Sequence, residues 1–99
     1  MTEVYLVHMT LPEVFTAEIY EILPQQRALI SSLMEERVIL SYSLDMARKN
    51  VWAFVEARDQ KHLKSILATF PIIAHVGINI HELAYHDGAP ISLPDLIMN

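Results

Sequence analysis

The sequence predicts an α+β domain of β-α-β-β-α-β order, with a four-stranded antiparallel sheet and two helices on one of its faces. Four segments alternate apolar and polar residues with the period of two that a strand imposes. Two others repeat apolar residues at helical spacing, and a stretch of hairpin length separates the two central strand segments.

The first strand is expected over Val4 to Leu11, where β-branched and aromatic residues dominate and Pro12 is the stop. Tyr5, Val7 and Met9 share one face, and Leu6, His8 and Thr10 the other. A helix is expected from the N-cap Thr16, with an inward stripe of Ile19, Ile22, Leu23, Leu29, Ile30 and Leu33. Gln26 is the one polar residue in that stripe. Pro24 lies inside it without breaking the phase, which predicts one kinked helix, with a helix beginning at Pro24 as the alternative. Val38 to Leu44 and Val51 to Glu56 read as an antiparallel pair joined across Asp45 to Asn50. Asp59 caps a second helix whose buried face is Leu63, Ile66, Leu67 and Phe70, ended by Pro71. The last strand is expected over Ile73 to Leu83, with Val76, Ile78 and Ile80 on one face and His75, Gly77, Asn79 and His81 on the other.

This order is the split βαβ, or ferredoxin-like, arrangement, whose two helices leave one sheet face uncovered. Leu6 and His8 lie there, together with either Trp52 and Phe54 or Val51 and Val55. An apolar face left to water predicts pairing with another copy of the chain. Residues 1–86 form the expected domain. Residues 87–99, apolar among prolines, are expected to form an extended arm on a neighbouring subunit.

Composition removes several classes of function. A chain of 99 residues holds one core. Twelve acidic against seven basic residues give a net charge of −5; with the basic residues mostly scattered, neither nucleic acid nor an anionic membrane surface is an expected partner. With no cysteine there is neither disulfide nor thiolate chemistry, and with no basic-apolar leader at Met1-Thr2-Glu3 the expected location is cytoplasmic. No apolar run approaches the ~18 residues of a membrane span.

A metal site is not expected, because His75 and His81 on one strand stand ~20 Å apart at about 3.3 Å per residue. No Gly-x-Ser-x-Gly elbow is present, and two glycines build no phosphate loop. Acid and base chemistry remains. His8, in an otherwise apolar strand, is the first candidate base, against the reading of a hydrogen-bonded interface histidine. His75 and His81 flank Gly77, whose missing side chain leaves room for a ligand; solvated histidines beside a bulge are the competing reading. Tyr5, Tyr42, Trp52 and Phe54 are candidate pocket walls or plain core. Arg27 and Arg48 are candidate carboxylate partners.

The segment from Gln26 to His86, with Leu29, Leu33, Glu36, Leu63, Leu67, Pro71, Ile78, Leu83 and His86, resembles the muconolactone delta-isomerase family. The opening Tyr5-Leu6-Val7-His8-Met9-Thr10 is similar to that family's first strand. Together these cover roughly four-fifths of the chain, mostly at core positions. The resemblance implies a dimeric α+β barrel assembling as far as a decamer. It implies cofactor-free isomerisation of a small apolar acid or lactone, with His8 as base and Arg27 or His86 as anion partner. Tyr5, Tyr42, His75 and His81 would then contact the ligand. The chain departs from the family at Gln26, where the family has a carboxylate, and at Leu40, Ser41 and Leu44, where its second strand is basic. A ligand-binding or assembly protein without catalysis is the alternative on the same scaffold.

Overall fold

The computed structural model describes residues 2–89. The elements are β1 (Glu3–Thr10), α1 (Ala17–Glu35), β2 (Ile39–Leu44), β3 (Asn50–Ala57), α2 (Gln60–Leu67) and β4 (Gly77–Glu82). The sheet runs β2-β3-β1-β4 with each neighbouring pair antiparallel. That order is the one expected when a strand is inserted between the two strands of a βαβ unit, and it is consistent with a ferredoxin-like fold.

α1 begins where Thr16 Oγ1 accepts the Ile19 N–H at 3.3 Å. Phe15, just before the cap, packs edge-on against Tyr20 with ring centroids 5.7 Å apart, which fixes the angle at which the chain enters the helix. The helix runs unbroken through Pro24; the proline ring offers no N–H to the carbonyl one turn earlier and sits on the exposed side. At the other end Arg37 N–H donates to Met34 O and Val38 N–H to Leu33 O. This is a Schellman closure, and it places Arg37 at φ 61, a left-handed position usually given to glycine. α2 starts on Asp59, whose carboxylate accepts the His62 N–H at 2.7 Å, while His62 Nδ1 accepts the Arg58 N–H at 3.0 Å.

The core lies between the helices and one sheet face. Tyr5, Val7 and Met9 of β1 and Val51, Ala53 and Val55 of β3 join Ile30 of α1 and Leu63 and Leu67 of α2 in one cluster. Both helices therefore pack on the same side. β2 carries an irregularity: Ile39 pairs with Val55, but Ser41 pairs with Phe54 and Tyr42 with Ala53. Two residues of β2 thus oppose one step of β3, a bulge that turns Tyr42 and Leu44 to the same side as Ile39.

The last strand is shorter than the sequence suggests. Ile73–His75 is a 3-10 turn and pairing begins at Gly77, so His75 is not on the strand and shares no cleft with His81. Gly77 pairs regularly with Thr10, with no bulge. A Cβ there would meet the Thr10 Cβ at an ordinary 3.5 Å. Of the expected arm over 87–99, residues 90–99 lie outside the described residues.

Candidate functional site

Two surfaces bring chemically able residues together, one on each side of the sheet. The first is a cleft on the helix side, where α1, the segment after β1 and the β2–β3 turn meet around a cavity of about 240 Å3. Leu11, Phe15, Leu23, Val51 and Ile72 make its wall apolar, and Gln26, Arg27, Tyr42 and Arg48 supply the polar groups. A hollow of about 420 Å3 continues from it past Phe15, Leu23 and Arg48 and adds Lys49 and Glu13. Three of the chain's seven basic residues, Arg27, Arg48 and Lys49, thus line one opening on a protein of net charge −5. Neither arginine forms an ion pair with a described carboxylate; His75 with Glu18, at 3.6 Å, is the only such pair among the described residues.

Gln26 is the centre of this cleft. It is 4% exposed, and its Oε1 accepts the Ile72 N–H at 3.2 Å. That bond fixes the orientation of the amide, because a backbone N–H needs an oxygen. The amide nitrogen Nε2 is left buried with no hydrogen-bond partner, a state that costs about 1–3 kcal/mol where nothing compensates it. The Tyr42 phenol is pushed above its ordinary value by loss of solvent, an effect opposed by the Gln26 amide donor, which is close enough to act on the phenol oxygen without meeting hydrogen-bond geometry. Tyr42 is therefore a protonated donor at neutral pH. Gln26 Nε2, Tyr42 Oη and the two guanidinium groups are all donors, so the cleft is built to receive acceptor oxygens.

The β2–β3 turn that presents Arg48 is held by Asp45. Its carboxylate accepts from Lys49 N at 2.9 Å, Asn50 N at 3.2 Å and Asn50 Nδ2 at 2.9 Å. The Asn50 side chain and the Lys49 backbone lead in holding the Asp45 carboxyl below its ordinary value. The same turn puts Arg48 at φ 58, again left-handed without glycine.

The second surface is the uncovered sheet face. Strand register aligns His8 with Trp52 and Asn79, and Leu6 with Phe54 and His81. This settles the open choice on the third strand in favour of Trp52 and Phe54. His8 stacks on Trp52 with centroids 5.4 Å apart and planes at 11°, and His86 lies over Phe54 at 4.6 Å. His8 Nε2 stands 2.8 Å from Asn50 Oδ1.

The residues expected to form one site therefore divide. Arg27 and Tyr42 line the cleft; His8, His81 and His86 lie across the sheet from them; His75 sits beside Glu18 on the 3-10 turn. Tyr5 belongs to the core at 1% exposure, with its hydroxyl donating to Glu3 Oε2 at 3.0 Å. A further hollow, about 640 Å3, is an open groove flanked by Glu3 and Glu82, whose charges oppose an anionic ligand. Among the described residues no group of three or more side chains could hold a metal, and no helix is long and apolar enough to cross a membrane. No protein-family model matches the chain, and no curated protein matches it.

Proposed function

We propose that this protein binds a small, largely apolar carboxylate in the cleft between α1 and the β2–β3 turn. The observation that carries this reading is the buried, unpartnered Gln26 amide facing an apolar cavity whose opening holds Arg27 and Arg48 without described carboxylate partners. The arginines take the carboxylate through charge-assisted hydrogen bonds, and Gln26 Nε2 and Tyr42 meet a second oxygen on the ligand. At about 240 Å3 the cavity is below the roughly 300 Å3 at which drug-sized pockets begin, which suits a compact acid. Isothermal titration with benzoate, repeated with Arg48→Gln, tests it: saturable binding in the parent protein that weakens at least tenfold in the variant is expected.

A muconolactone isomerase-like reaction is the second reading. It draws on His8, which on the open face is hydrogen-bonded to Asn50, as the group that would move a proton. Among the described residues the cleft lining contains no group that is a base near neutral pH, since Tyr42 stays protonated. The isomerase reading therefore moves the chemistry to the open face and gives the cleft a binding role. Loss of muconolactone in the ultraviolet, with His8→Ala as control, tests it; no turnover, or equal turnover in the variant, removes it.

A second copy of the chain on the open face belongs to both readings, because Leu6, Phe54 and the 39% exposed Trp52 form an apolar patch that the helices do not cover. Sheet-to-sheet packing of that kind gives a dimeric α+β barrel, and further assembly toward a decamer uses other surfaces. The absence of cysteine suits a cytoplasmic setting.

A further inference from the structure

We propose that Asp45 and Asn50 are positioning residues that hold the His8 ring as its Nε2–H tautomer and so present Nδ1 as a proton acceptor on the uncovered sheet face.

The assignment follows from the order of the hydrogen bonds. Asp45 is a carboxylate and can only accept, so the Asn50 atom 2.9 Å from its Oδ2 is the amide nitrogen. The other end of that amide, Oδ1, is then an acceptor and nothing else. The His8 nitrogen 2.8 Å from it must carry a hydrogen, and that nitrogen is Nε2. In the neutral ring the lone pair is left on Nδ1. Two further contacts keep the ring from turning. Trp52 lies flat against one face of it at 5.4 Å. His8 and Asn50 are also diagonal neighbours on one sheet face, with Thr10 opposite Asn50 and Trp52 opposite His8.

The chain Asp45–Asn50–His8 thus sets a ring nitrogen as a carboxylate sets a catalytic histidine, with an amide inserted between the two. The anchor sits in the turn that also carries Arg48, so one carboxylate supports a residue on each side of the sheet. The group that His8 meets on the open face must offer a hydrogen: an O–H, an N–H, or a C–H next to a carbonyl. This assignment stands apart from ligand binding in the cleft and deepens the reading of His8 as the group that moves a proton.

Long-range proton–nitrogen correlation spectra of the histidine rings test it, at a pH where His8 is neutral. The expected result is a uniform Nε2–H ring at His8 and a mixture of tautomers at exposed His81. In Asn50→Ala the ratio of Nε2–H to Nδ1–H rings at His8 falls about fivefold, the worth of one hydrogen bond of about 1 kcal/mol. His62, whose Nδ1 accepts the Arg58 N–H, stays Nε2–H and reports that the fold is intact. An Nδ1–H ring or a mixture at His8 in the parent protein overturns the assignment, as does an unchanged His8 in a folded Asn50→Ala. Should that variant not fold, Asp45→Asn decides: the Lys49 and Asn50 backbone N–H groups hold the new amide oxygen, its nitrogen faces Asn50, and the Asn50 amide turns its own nitrogen toward His8. A His8 ratio that shifts toward Nδ1–H supports the relay, and an unchanged one overturns it. Unchanged turnover in His8→Ala, with the parent protein showing the Nε2–H ring at His8, would remove the proton-transfer reading and leave the positioning chain standing.

Discussion

Gln26 Oε1 and the Ile72 N–H meet at 3.2 Å in the interior and tie α1 to the segment that follows α2. The bond satisfies one end of the amide and strands the other. Replacing Gln26 by Leu removes the buried orphan donor but also the acceptor for Ile72, two opposed effects of about 1–3 kcal/mol each. Urea unfolding is therefore expected to show a net change within about 1 kcal/mol. Affinity for a carboxylate with a second acceptor oxygen is expected to fall about tenfold, measured by titration calorimetry.

The two left-handed arginines make a matched pair. A side chain at such a position costs roughly 1–2 kcal/mol, partly recovered by glycine against its larger loss of freedom on folding. Arg37→Gly and Arg48→Gly are each expected to stabilise the protein by roughly 0.5–1 kcal/mol in thermal unfolding. Only Arg48→Gly is expected to weaken carboxylate binding, because Arg48 lines the cleft and Arg37 caps α1 far along its length.

Loss of solvent around the Tyr5 ring, with the Glu3 carboxylate beside its hydroxyl, pushes the phenol from 10.0 to about 12. A raised value means that the folded state holds the proton more tightly. Its contribution to stability is complete below pH 10.0 and is lost as pH rises toward about 12. Alkaline unfolding followed by circular dichroism should set in within that window, and Tyr5→Phe should lessen the pH dependence there. Tyrosine absorbance should show a late-ionising phenol in the parent protein that is missing from Tyr5→Phe.

Leu6 lies at the middle of the open face, paired with Phe54 and His81. A lysine there would place a charge inside any sheet-to-sheet contact while leaving the helix-side core untouched. Sedimentation velocity is expected to show an oligomer for the parent protein and a monomer for Leu6→Lys, with unchanged far-ultraviolet circular dichroism.

Sequence pattern reached the element order and both helix caps because the signals are local: Thr16 and Asp59 precede helical stripes, and Tyr5, Val7 and Met9 alternate cleanly with Leu6, His8 and Thr10. It reached the oddity of Gln26 for the same reason, as one polar residue in an apolar stripe. Tyr42 was legible only as an aromatic residue of uncertain side. Simple alternation groups it with Leu40 and Leu44, and the bulge after Ile39 is what turns Tyr42 and Leu44 to the cleft side, where Tyr42 is half-buried and Leu44 exposed. The start of β4 was misread because Ile73 and Val76 carry the β-branched composition of a strand, whereas Ile73–His75 closes a tight turn behind Pro71. The link from Asp45 through Asn50 to His8 had no sequence signal, since it joins residues 42 apart through strand register.

Backbone amide spectra recorded during a titration with sodium benzoate and then sodium hexanoate test the cleft most directly. Saturable shifts centred on Leu11, Gln26, Tyr42, Arg48 and Ile72, abolished in Arg48→Gln, are the expected result. Shifts confined to His8, Trp52 and Phe54, or none that saturate with either acid, would contradict it.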